Sequence, residues 1–161
     1  MSTFRLGALC AVPFGLWAVA VPLAAQADTD ACTLLTPAQV GAAVGVAVAA
    51  GTHVTPTYVK TCTWAPSGKS QVRAVTLYLQ TAAAYDGGKQ MARQMAAVGK
   101  GGAVKPVRVG DDGYYFVAGD QVGLLVKKGG ISFKVAVYAT LSVDKKEAME
   151  LTLAKEVLAK L

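Results

Sequence analysis

One histidine, one adjacent acidic pair and three cysteines are the residues of this 161-residue chain whose types could support chemistry. His53 has no second histidine and no cysteine at the short spacing that zinc sites use, so no metal is expected. A Ser-His-Asp arrangement would have to recruit His53. No Gly-x-Ser-x-Gly elbow accompanies it, and His53 reads as a loop residue. Asp111-Asp112 lies between Gly110 and Gly113. A calcium loop would space its carboxylates and close on a glutamate, so this pair reads as a turn. Gly99-Lys100-Gly101-Gly102 lacks the spacing of a phosphate loop and reads as the end of a helix. No catalytic residue, metal or cofactor is expected.

The cysteines carry more. Residues 1–27 have the layout of a cleaved secretory signal: Arg5, an uncharged apolar run from Leu6 to Leu23, then Ala25-Gln26-Ala27 with small residues where a signal peptidase reads. Cys10 would leave with that segment. Cys32 and Cys62 remain as an even pair in an oxidising compartment, which is most simply a disulfide. A loop of about 30 residues between them gives roughly 3–4 kcal/mol in the chain-entropy model. The remaining chain, 28–161, is long enough for one core, has no further apolar run of spanning length, and is expected to be a single periplasmic or secreted domain.

The formal charge of +6 comes from lysines scattered along the chain. A nucleic-acid site would focus them and interleave them with stacking aromatics, so no nucleic-acid partner is expected. Tyr114, Phe116 and Tyr138 form the one aromatic group that could face a ligand or partner across a sheet.

These positions need elements to hold them. From Tyr114 to Ala139 the chain reads as three strands joined at Gly119-Asp120 and at Lys128-Gly129-Gly130. Ile131, Phe133, Val135 and Val137 share one face, and Ser132, Lys134, Ala136 and Tyr138 the other. Upstream, Thr61–Trp64 and a strand through Val75, Leu77 and Leu79 form a hairpin, with Trp64 expected to pack over the disulfide. Val46–Pro56 and Val104–Val109 read as a loop or edge strands, the second weakened by Pro106. A first helix starts at Thr36, with Pro37 at its first position, a capping box to Gln39, a Leu35–Val40 staple and a stop at Gly45. A second runs from Ala82 to Val98, with Met91, Met95 and Val98 expected toward the core. A third begins after Asp144, with Ala148, Leu151, Ala154, Leu158 and Leu161 forming an inward stripe that Leu153 and Val157 widen, and Lys146, Glu150 and Lys155 on more exposed sides. The expected fold is α+β: an antiparallel sheet of about five strands covered by helices, in the order αββαβββα, with one disulfide.

The runs Cys32-Thr33-Leu34-Leu35-Thr36, Val44-Gly45 and Cys62-Thr63-Trp64 resemble a loose group of small exported bacterial α+β domains of unknown function. Related-looking domains occur in actinobacterial lipoproteins and extracellular sensor regions. The resemblance implies a disulfide and a fold and supplies no catalytic residues. The lipid-attachment cysteine of such lipoproteins is missing. The expected function is that of an exported, non-catalytic binding or accessory domain of the cell envelope, taking an envelope protein or a small apolar ligand. The alternative is a small secreted hydrolase with a carboxylate-based site at Asp111 or Asp112.

Overall fold

The computed structural model describes residues 29–161; the expected signal segment lies outside them. Four helical segments and seven strands follow one another: a 3-10 turn (Ala31–Thr33), α1 (Pro37–Val44), β1 (Thr52–His53), β2 (Thr61–Trp64), β3 (Val72–Thr81), α2 (Ala82–Ala97), β4 (Ala103–Val107), β5 (Asp112–Ala118), β6 (Gln121–Lys128), β7 (Ile131–Ala139) and α3 (Val143–Leu158). The strands form one antiparallel sheet in the order β1-β2-β3-β7-β6-β5-β4. The α+β class and the antiparallel sheet match expectation, but there are seven strands rather than about five. The two extra strands are the edges. Two residues of β1 carry almost no periodicity, and Pro106 weakens the sequence signal of β4 while fitting an edge position.

Two meanders meet at the long β3–β7 ladder, which pairs Val75 with Val137, Leu77 with Val135 and Leu79 with Phe133. The second meander turns at Gly119 and Gly129, whose φ values of 62° and 57° are open to glycine without a Cβ penalty. Its first strand starts at Asp112, two residues before the sequence reading.

Alternation gives the sheet two unlike faces. The inner face carries Cys62, Trp64, Val75, Leu77, Leu79, Leu124, Val126, Phe133, Val135 and Val137, all buried. α1 and α3 cover it with Val40, Val44, Leu153, Ala154 and Val157. α1 is held as its sequence dictates. Thr36 Oγ1 accepts from Gln39 N–H at 3.2 Å, Gln39 Oε1 accepts from Thr36 N–H at 3.0 Å, and Gly45 caps the end at φ 72°. Leu35 and Val40 are both buried, as a staple requires. Among the described residues no helix is long and apolar enough to cross a membrane.

Two helix faces differ from the sequence reading. In α2, Met91, Met95 and Val98 are exposed (67%, 44% and 67%), and Tyr85 is the only buried residue. A competing stripe, Ala82-Tyr85-Lys89-Ala92, has the same helical spacing and turns to the sheet. It wins because Tyr85 meets the Tyr114 ring edge-on at 5.3 Å between centroids, and Lys89 reaches Asp112. In α3, Lys146 and Glu150 are buried, and Ala148 and Leu161 are exposed. The helix begins earlier, with Ser142 at the N-cap and Asp144 in the first turn. Its inward stripe is therefore 146, 147, 150, 153, 154 and 157. Of its polar members, Glu150 accepts from Val137 N–H through Oε1 at 2.9 Å, Lys146 Nζ donates to the Asp120 carbonyl, and Glu147 pairs with Lys105 at 2.6 Å. The β6–β7 pairing ends at Leu124–Val135, so Val137 lies beyond it and a glutamate takes the partner's place.

Candidate functional site

The outer face of the sheet is covered over only part of its width. α2 lies on the β4–β6 side, clamped by polar contacts. Lys89 Nζ donates to both Asp112 oxygens (2.7 and 2.5 Å) and lies 5.5 Å from the Tyr114 ring centroid, and Lys127 Nζ donates to Asp86 at 2.7 Å. Burial pulls the Asp112 carboxyl upward, but Lys89 and Tyr85 outweigh it and hold it below the usual range. Burial and then the Asp112 carboxylate push the Tyr85 hydroxyl up.

α2 also reaches the ends of β3 and β7 nearest it, where Ser132 is buried; beyond them Thr76, Tyr78, Lys134 and Tyr138 keep some exposure on the outer face. Reading across the register, Thr61, Tyr78, Lys134 and Leu125 form one row, continued by Tyr114 under the helix; Thr63, Thr76 and Ala136 form the next; Ala74 and Tyr138 the third. Tyr138 is 41% exposed. A Cβ at Gly123 would meet Lys134 Cε at 2.6 Å, so the lysine stem lies against the bare backbone there. At one margin, Tyr58, Lys60, Tyr78, Thr81, Ala84 and Ile131 line a cleft of about 450 Å³. Tyr58 raises the Tyr78 hydroxyl through a hydrogen bond between the two side chains, and burial adds to it.

The three aromatics singled out in the sequence thus share a face but not a patch. Tyr114 is buried under α2, Phe116 is half-buried, and Tyr138 stands on the open part. Tyr78, Tyr58 and Lys134 join Tyr138 there. For Tyr78 and Lys134 the signal was the period of two in β3 and β7, which puts them opposite each other; Tyr58 comes from the segment between β1 and β2 and has no such signal.

The acidic pair does not converge. Asp111 accepts from Gly129 N–H at 2.7 Å and pairs with Lys128, and the Gly129 bond first, then Lys128, holds its carboxyl below the ordinary range. Asp112 points to α2.

A second cluster lies at the β1 edge. Cys32 and Cys62 are joined by the expected disulfide, 5.0 Å between Cα atoms. Trp64 lies beside it. Gly51 backs onto both, since a Cβ there would come 2.5 Å from Cys62 Sγ and 2.7 Å from Trp64 Nε1. His53 is not in a loop: it sits in β1 directly across from Cys62. Its Nε2 contacts Asp30 Oδ1 at 2.8 Å, and the same oxygen accepts from Cys32 N–H at 2.7 Å. Asp30 is the N-cap of the 3-10 turn. The His53 hydrogen bond first, with help from Cys32 N–H, lowers its pKa against the pull of burial. Sequence spacing concealed this group because its members come together only through the β1–β2 pairing and the disulfide.

Comparison with protein-family models, with curated proteins and with solved structures returned no match. The likeness to small exported domains therefore rests on the short Cys-x-Leu-Leu-Thr and Cys-x-Trp runs alone.

Proposed function

We propose that this chain is an exported, non-catalytic binding domain of the bacterial cell envelope, and that it engages an envelope protein through the open part of its outer sheet face. The observation that carries this reading is the part of the β2-β3-β7 outer face left open beyond α2, where exposed Tyr138 and half-buried Tyr78 and Lys134 stand around Thr63, Thr76 and the buried Ala136. A broad, shallow surface with exposed aromatic rings suits a protein partner better than an enclosed small molecule. The disulfide and the signal-like head support export. The ion-paired state of Asp111 and Asp112 favours binding over carboxylate chemistry.

The test is retention of a partner from envelope extract on immobilised mature protein. One reproducible partner is expected, lost with Tyr138→Ala and retained with Lys155→Gln on the opposite side of the molecule. Retention that is indifferent to Tyr138→Ala, or no partner at all, overturns the proposal. Turnover of a substrate by purified protein, abolished by Asp112→Asn, would establish the hydrolase alternative.

A further inference from the structure

The Asp30–His53 pair and the disulfide bring together two sulfurs, an imidazole nitrogen and a carboxylate oxygen. The ligand atoms of Asp30, Cys32 and His53 all lie within 4.8 Å of one another, and Cys62 Sγ is bonded to Cys32 Sγ and lies across the ladder from His53. Cys62 is fully buried, while Cys32, His53 and Asp30 are half-buried, so an ion has access from one side. In the oxidised chain the sulfurs are spent on each other. We propose that reduction of Cys32–Cys62 converts this corner into a tetrahedral site for a borderline-soft divalent cation of the Zn2+ type, with Cys32, Cys62, His53 and Asp30 as its four ligands.

The chemistry balances. A dithiol reductant delivers two electrons and two protons to the S–S bond, leaving two thiols here and a disulfide on the reductant. The metal ion then displaces both thiol protons to solvent, because the thiolate is the ligand. His53 gives up the Nε2 contact with Asp30 and takes the tautomer with its proton on Nδ1, so that Nε2 presents its lone pair. Zinc binds sulfur at about 2.3 Å and nitrogen or oxygen at about 2.0–2.2 Å, which requires the ligand atoms to settle into a tetrahedron. The 2.8 Å His53–Asp30 contact must open slightly and the third ligand atom must close in. Asp30 sits on the 3-10 turn that also carries Cys32, and His53 on a two-residue edge strand, so neither shift breaks the central sheet. This inference stands apart from the open sheet face: it uses the inner side of the β1–β2 edge, where His53 faces Cys62, and none of the residues on that open face.

The experiment uses mature protein reduced with a phosphine and titrated with Co2+ alone, a spectroscopic stand-in for Zn2+. Thiolate-to-cobalt charge-transfer absorption is expected at one ion per chain, together with the visible bands of tetrahedral cobalt. Oxidised protein should show neither. His53→Ala should weaken binding by at least about tenfold and Asp30→Asn should weaken it measurably. Absent bands in reduced, folded protein overturn the proposal, as do bands indifferent to both substitutions, which would signify nonspecific thiol binding. If reduction alone unfolds the chain, circular dichroism decides: recovery of native structure on adding Zn2+, lost in His53→Ala, supports the site, and failure to recover overturns it.

Discussion

Glu150 shows what one buried carboxyl does to the whole molecule. It is fully buried, with Oε1 accepting from Val137 N–H and Oε2 unpartnered. Burial pushes its pKa up to about 7, against the opposing effects of Val137 N–H, Lys134 and Lys146. The folded chain therefore holds a proton that the unfolded chain releases near its ordinary value of 4.5. The stability linked to that proton is fully present below about 4.5, declines as pH rises through about 7, and amounts to on the order of 3 kcal/mol at about 1.4 kcal/mol per unit. Asp30, Asp111 and Asp112 act in the opposite sense: their lowered pKa values give stability that is lost only as pH falls through and below the ordinary aspartate range. Thermal denaturation across pH 5 to 8 should show falling Tm for the wild type and a nearly flat profile for Glu150→Gln, with the variant the more stable at the alkaline end. A parallel decline in both proteins would show that Glu150 is not the group responsible. The sequence gives no hint of this residue's position. Pattern reasoning assigns charges to the solvent side, and only the end of β6–β7 pairing creates a backbone donor that needs a carboxylate.

At the scale of elements, α2 is the loosest attached. It has one buried side chain, Tyr85, and two ion pairs to the sheet. Two glycines, Gly87 and Gly88, lie in its interior and lower its intrinsic propensity by about 1 kcal/mol each relative to alanine. Tyr85→Ala is expected to cost about 3 kcal/mol by cavity formation and to release the helix locally. Hydrogen exchange should then accelerate across residues 82–97 while the β3–β7 ladder remains protected. Uniform acceleration through both would mean that α2 is an integral part of the cooperative core. The caps of α1 and the glycine turns of the β5-β6-β7 meander were legible because they depend on local backbone chemistry at named positions. The face of α2 was not. Two stripes of equal spacing competed, and the aromatic and acidic partners on the sheet chose between them.

For the whole molecule, the disulfide ties the segment before α1 to an inner strand of the first meander, across a separation of 30 residues. Removing it by Cys32→Ser with Cys62→Ser should lower stability by about 3–4 kcal/mol, seen as a lower urea midpoint. Loss of under about 1 kcal/mol would mean that the core of Trp64, Leu77 and Phe133 holds this corner unaided. Mass spectrometry of protein purified from the envelope is expected to show a start at Asp28 and a mass two hydrogens below that of the dithiol chain; free thiols at both positions would contradict it.

Sequence alone determined what depends on near neighbours: the first helix with its caps, the two hairpin turns and the alternation of β7; the Cys32–Cys62 pairing was read from parity, on the expectation that Cys10 leaves with a signal segment. Tertiary structure decided what depends on which surfaces meet. It set the seven-strand order, turned Lys146 and Glu150 inward, left Met91 and Met95 outside, and put Tyr114 under a helix while Tyr138 stayed open. It also drew His53, Asp30 and the cysteines to one corner. The physical reason is the same in each case. A residue's local pattern states which faces an element has, but the free energy of burying one of them depends on the partner that the chain brings against it.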